Sequence, residues 1–289
     1  MESLLTEHGR DKLCNWAAEN GRLDVLVYAR EHGCSWDART CECAALNGHL
    51  DVLSYAREHG CPWDEGTCAC AAKNGRLDCL SYARDHGCPW DELTCAWAAE
   101  NGHLNVLQWT REHGCPWNEW TCECAALNGH LHVLKWAREH GCPWDVSTCA
   151  WAALHGHLDV LSYAREHGCL WDEGTCAYAA NKGHLHVLQW AREYGCPWNE
   201  RTCVYAAFKG HLHVLQWALQ HNCPLPTQPI IIQSHQKCFF ISTKKLLNHN
   251  SNSLQFEDKP LVEEWIQSVD DLCNDLCYND LSVLIKSFI

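Results

Sequence analysis

Between residues 10 and 225 the apolar positions follow helical spacing, and no segment alternates as a strand would. Residues 37–63, DARTCECAALNGHLDVLSYAREHGCPW, show the pattern. Cys41, Ala44 and Ala45 fall on one face at i, i+3 and i+4, which predicts a short first helix. Asp37 is its N-cap, with Thr40 three residues on, and Gly48 ends it in the left-handed conformation. Leu50, Leu53 and Ala56, with Val52 beside them, form the apolar stripe of a second helix, and Asp51, Ser54 and Glu58 lie on its other side. Gly60 closes that helix. Cys61-Pro62-Trp63 then turns the chain, because proline cannot continue a helix.

This pattern recurs every 27 residues. Trp36, Trp63, Trp90, Trp117, Trp144, Trp171 and Trp198 keep the spacing, and so do the cysteine column from Cys14 to Cys203 and a second one from Cys34 to Cys223. Eight units run without insertion from Arg10 to Leu225, starting at residues 10, 37, 64, 91, 118, 145, 172 and 199. Neither helix of a unit reaches the ~12 residues that an isolated helix needs in water. The units are therefore stable only when stacked, each covering its neighbour's apolar face. The predicted fold is all-α, a right-handed α-solenoid of helix-turn-helix units.

Composition follows from the repeat. The 289 residues hold 23 Cys, 20 His and 16 Trp but a single Met, and the two cysteine columns with the tryptophan column supply 16 of those Cys and 7 of those Trp. The formal net charge is −14, which argues against nucleic acid, since phosphate contacts need a basic stripe. No run of about 18 apolar residues is present, so no membrane span is expected. The first residues, MESLLTEHGRDK, do not read as a signal peptide. The chain is thus expected in a reducing compartment, cytoplasmic or otherwise intracellular, or that of a host cell if the source is viral. An odd number of cysteines also cannot pair completely.

Leucine-rich repeats share this period range but need an LxxLxL strand, and tetratricopeptide units take about 34 residues. Ala44-Ala45, Gly48-His49-Leu50 and Val52-Leu53 together resemble the centre of an ankyrin repeat, and Glu58-His59-Gly60-Cys61 is similar to the end of an ankyrin second helix. The family's TPLH start has no clean counterpart: Thr40 falls where that motif has Pro, and Cys41 where it has Leu. Six residues are missing relative to the usual repeat of about 33, all between Trp36 and Asp37, where ankyrins carry a β-hairpin tip. Such hairpin-less units are similar to ankyrin arrays of large DNA viruses and some protists. The resemblance covers residues 10–225 and implies protein–protein binding without catalysis.

The cysteines admit two readings. Each unit contains His-Gly-Cys with a further Cys seven residues on, such as His32, Cys34 and Cys41, and zinc favours such ligands. The paired CxxC signature is absent, however, and a free Cys packs as a small hydrophobe. In the ankyrin register Cys34 takes the place of Ala and Cys41 that of a core Leu. Structural cysteines are the expectation, with no metal and no cofactor. Catalysis has less support, because a catalytic constellation is normally unique and these residues recur eight times. The turn tryptophans are expected to form a ladder between adjacent loops, replacing the missing hairpins.

Comparison of the eight copies shows which positions are free to vary. On the first helix these are 39, 42, 43, 46 and 47 of the second unit, on the side opposite Cys41, Ala44 and Ala45. The column at 39 reads Arg39, Gly66, Leu93, Trp120, Ser147, Gly174, Arg201. The column at 43 holds Cys, Trp or Tyr, and either packs between helices or faces outward. The second-helix variable positions, 51 and 54, are polar and read as a solvated convex face. The first-helix face, concave in ankyrins, carries the candidate partner site: Leu93, Trp97, Trp120, Leu127, Trp151, Leu154, Tyr178 and Phe208. The expected function is that of a monomeric, non-enzymatic scaffold or adaptor for another protein. A Cys/His metal or redox array and a spacer without a specific partner are the alternatives.

The ends depart from the repeat. Residues 1–9 read as an N-terminal cap segment, with a short helix at 3–8 and no room for a further domain ahead of it. Residues 226–289 form a divergent segment. PLPTQPIII reads as an extended connection or edge, 236–256 as polar, and about Lys259 to Lys286 as a terminal helix capped by Asp258 that serves as a cap or a partner helix.

Overall fold

A computed structural model describes residues 10–225, 230–234 and 237–241. The expected N-terminal helix at 3–8 and C-terminal helix at 259–286 lie outside the described residues. Contacts divide the chain into Met1–Pro224 and Leu225–Ile289.

The array consists of eight helix pairs: α1 Arg10–Glu19 and α2 Leu23–Glu31, α3 Ala38–Asn47 and α4 Leu50–Glu58, α5 Glu65–Lys73 and α6 Leu77–Asp85, α7 Glu92–Glu100 and α8 Leu104–Glu112, α9 Glu119–Leu127 and α10 Leu131–Glu139, α11 Val146–His155 and α12 Leu158–Glu166, α13 Glu173–Asn181 and α14 Leu185–Glu193, α15 Glu200–Phe208 and α16 Leu212–Gln220. Each first helix packs on the first helices of the neighbouring units, whereas successive second helices touch sparingly. The stack therefore curves with its first helices on the inner side. The two cysteine columns, the paired alanines and the Val-Leu pair of each second helix (Cys79-Leu80 in the third unit) form one continuous core, almost entirely inaccessible to solvent.

The helix starts follow the sequence. Asp37 occupies the extended N-cap conformation and its carbonyl accepts from the Thr40 N–H at 3.0 Å, without a side-chain cap bond. In the six later units the cap side chain accepts from the N–H two residues on, as Asn118 does from Trp120 at 3.0 Å.

The glycine that ends the first helix is required twice over in every unit but the last. Gly102 has φ +75°, and a Cβ there would lie 2.8 Å from the His130 ring of the next unit. Gly114, which ends a second helix at φ +80°, has nothing within 4 Å, and in the last unit Asn222 holds the equivalent position at φ 61°. Both Gly102→Ala and Gly114→Ala should incur the ~1–2 kcal/mol of left-handed strain. Gly102→Ala should cost at least ~1 kcal/mol more, because it must also displace a packed ring. Urea denaturation of the two variants measures the difference, and equal losses would show that the ring gives way freely.

The turn tryptophans depart from the expected ladder. Among the described residues they do not stack on one another. Each ring lies under the guanidinium of its own unit's arginine, at 3.9–4.3 Å. Its edge meets the Tyr or Trp of the following second helix at 6.0–6.5 Å and 62–75°. That second-helix ring packs in turn on the histidine four residues on (Tyr194 in the seventh unit), as Trp136 does on His140 at 4.1 Å, and His140 Nδ1 lies 2.8 Å from the Trp136 carbonyl. Units about 10 Å apart, as packed helices are, hold successive turn rings too far apart to touch, so the intervening aromatic side chain takes the contact.

Beyond the array, β1 Ile230–Ser234 pairs antiparallel with β2 Lys237–Ile241, with Ile230 opposite Ile241 and Ser234 opposite Lys237. The extended reading of the isoleucine run holds. The second strand falls in a stretch read as polar, where Lys237-Cys238-Phe239-Phe240-Ile241 is the apolar exception.

Candidate partner-binding face

Short first helices packed side by side align their variable positions in rows along the inner side of the stack. Of the eight candidates, Trp120 is 51% exposed, Phe208 50%, Tyr178 39% and Trp151 36%. Leu93, Trp97, Leu127 and Leu154 are half-buried. Trp151 on α11 stacks on Tyr178 of α13, with centroids 6.3 Å apart and planes 4° from parallel. Tyr178 stacks in turn on Tyr205 of α15, at 6.5 Å and 17°. The column at 43 is thus both packed and open: rings lean on their neighbours and keep an exposed edge. Tyr205 was missing from the candidates, although its column contains Trp151 and Tyr178. Trp97 is roofed by the Lys73 ammonium at 5.0 Å.

Beside the stack lies a recess of about 250 Å³, lined by Ser147, Ala150, Glu173, Gly174, Tyr178 and Arg201 among others. Gly174 leaves this space where other units place Trp120 or Leu93. Glu123 on α9 is half-buried. Burial, and then the neighbouring carboxylate of Asp145, push its carboxyl above the usual range, while a hydrogen bond with the Trp151 side chain pulls the other way.

Residues 95–138 match the family described as "Ankyrin repeats (many copies)", and the sixteen helices repeat in stacked pairs on either side of that segment. This is an ankyrin-like repeat protein. No curated protein matches the chain. Ankyrin repeats are generally protein–protein interaction modules and typically non-enzymatic.

In this ankyrin-like array both cysteine columns belong to the core. The Cys61 thiol donates to the Asp37 carbonyl at 3.3 Å and so ties the end of a unit to its start. Hydrogen bonding to the partner thiol of the same unit, Cys142 for Cys122 and Cys169 for Cys149, and then burial push the Cys122 and Cys149 thiols far up. On the variable face, burial pushes Cys70 up to about 11 and Cys124 up to about 12, aided by Glu42 and Glu100 respectively. Such thiols stay protonated, the opposite of a reactive cysteine. Among the described residues no group of three or more His, Cys, Asp or Glu is arranged to hold a metal ion.

The histidines that begin the second helices serve the stacking. His49 lies over Gly21 of the preceding unit, its Nε2 3.2 Å from the Glu19 carbonyl, and His211 repeats the arrangement with the Asn181 carbonyl at 3.0 Å. Burial lowers the affinity of His130 and His184 for a proton. Among the described residues no helix is long and apolar enough to cross a membrane.

Proposed function

We propose that this ankyrin-like array is a non-enzymatic scaffold or adaptor that binds another protein through the variable face of its first helices, centred on α9, α11, α13 and α15. The observation that carries this reading is the ring stack of Trp151, Tyr178 and Tyr205, flanked by the exposed rings of Trp120 and Phe208. The stacking core does not need these rings: other units place Cys70 or Cys124 where Trp151 stands, and Gly66 or Ser147 where Trp120 stands. Rigid, part-exposed Trp and Tyr supply interface anchors at little entropic cost.

The test is quantitative binding to a partner captured with the wild-type chain. Joint replacement of Trp151 and Tyr178 by Ala should weaken binding at least about tenfold. Ala at Gln108 and Lys135 on the second-helix face should leave it unchanged. Equal affinity of the wild type and the Trp151/Tyr178 variant would overturn the reading.

A further inference from the structure

Two columns of the first helix change together in units six to eight. The column at 43 becomes Trp151, Tyr178 and Tyr205, and the column four residues on becomes His155, Lys182 and Lys209. In the five units before them that second column is Asn20, Asn47, Asn74, Asn101 and Asn128. Four of those amides donate to first-helix carbonyls, as Asn47 does to Cys43 at 2.9 Å, and so finish the helix end. A helix C-terminus favours a cation in any unit, yet the array places a base here only where the rings form a contiguous row. Residues four apart on a helix are neighbours, about 5–6 Å apart, so a basic row runs alongside the ring row. His155, Lys182 and Lys209 are exposed, and the Lys209 ammonium lies 5.2 Å from the Phe208 ring on the same face. Among the described residues the one ion pair within 4.0 Å is Arg22–Asp24, so no carboxylate there pairs with Lys182 or Lys209. The carboxylates of α13 and α15 are Glu173 and Glu200, at their first positions, about 13 Å along the helix from the bases at 1.5 Å per residue. In a chain of net charge −14, this strip of rings and bases stands apart.

The spacing along the strip fits one kind of backbone. Successive ring centroids are 6.3 and 6.5 Å apart, closer than the ~8–10 Å between packed helix axes, because the rings lean together on the inner side of the curve. A β-strand advances ~6.4–6.8 Å every two residues and sends successive side chains to opposite sides. A strand laid between the two rows therefore offers one side chain to a ring and the next to a base, once per unit. A polyproline helix repeats every three residues, about 9 Å, and falls out of step with the rings.

We propose that the occupant of this face is an extended segment of the partner protein in which apolar and acidic residues alternate, with the apolar side chains on Trp151, Tyr178 and Tyr205 and the carboxylates on Lys182 and Lys209. Charge complementarity selects acidic over basic residues, and the two-residue period selects a strand. This rests on the partner-binding reading above and names the chemistry of the partner.

The test measures binding of short fluorescent peptides to the full chain by anisotropy. The probe has the core Leu-Glu-Leu-Glu-Leu. Its matched controls carry Gln for Glu, carry Lys for Glu, or hold the same residues in blocks as Leu-Leu-Leu-Glu-Glu. Joint replacement Lys182→Asn and Lys209→Asn should preserve the fold, because Asn stands at this position in the first five units. Circular dichroism checks that each variant is folded.

The alternating Glu peptide should bind at least about tenfold more tightly than the Gln and block peptides, and added salt should weaken it. The Lys182→Asn, Lys209→Asn variant should lose most of the preference for Glu over Gln, and Lys182→Glu with Lys209→Glu should reverse it in favour of the Lys peptide. If peptides bind in a way that joint Ala replacement of Trp151 and Tyr178 abolishes, but neither Glu nor alternation confers an advantage, the acidic-strand proposal is wrong and the face reading stands. If no peptide binds, or if binding ignores the rings, the acidic-strand proposal is again wrong. The affinity of the captured partner for the Trp151/Tyr178 variant then decides the face reading separately.

Discussion

Replacing Leu134 by Ala is expected to lower the stability of the array by about 3–4 kcal/mol, in the range for a fully buried leucine that leaves a cavity. Leu134 lies on α10 with no exposed surface, and the equivalent leucine in every other unit from Leu26 to Leu188 is equally buried. The consequence should exceed the number. In a linear stack each unit is held only by its neighbours, so weakening one central unit uncouples the units on either side. Urea unfolding followed by circular dichroism should change from one transition to two. A single transition with a loss below ~1 kcal/mol would show that the surrounding core collapses around the gap.

Replacing Trp117 by Ala is expected to cost about 2–3 kcal/mol, less than a fully buried tryptophan because the ring is half-exposed. The ring loses two partners at once. The Arg111 guanidinium lies 4.1 Å above it, and Trp136 of the following unit meets its edge at 6.0 Å and 66°. Arg111 also donates to the Cys115 carbonyl, so the turn itself is braced through the same side chain. A double-mutant cycle with Arg111→Ala should recover a coupling of about 1 kcal/mol between the two. The sequence contains a natural comparison. In the eighth unit the arginine becomes Leu219 and the tryptophan becomes Leu225, so the two disappear together. A coupling of zero would reduce the contact to incidental proximity.

Much of the array is legible in the sequence because the forces that shape it are local. Asp at the N-cap, Gly at the left-handed positions and apolar residues at helical spacing each act within a few residues, and eight copies repeat the message. The fate of the turn tryptophans was not legible. Their regular spacing suggests that they meet, but spacing along a chain does not reveal which way a ring turns when an arginine six residues before it and an aromatic residue nineteen after it compete for its faces. The stacked column exists instead on the first helices, where Trp151, Tyr178 and Tyr205 are close enough to touch. The second strand of the C-terminal ribbon was missed because five residues were averaged into a polar stretch.

The sequence alone therefore determines the period, the two helices of each unit, their caps and the residues that enter the core, since all of these follow from short-range backbone preferences and hydrophobic spacing. Only the tertiary structure decides what each unit presents to the next. Trp151, Tyr178 and Tyr205 are each 27 residues apart along the chain and come together because stacking lays one unit's first helix against that of the following one. Such contacts depend on the distance and tilt between helices, which the packing of the whole core sets and no single repeat encodes.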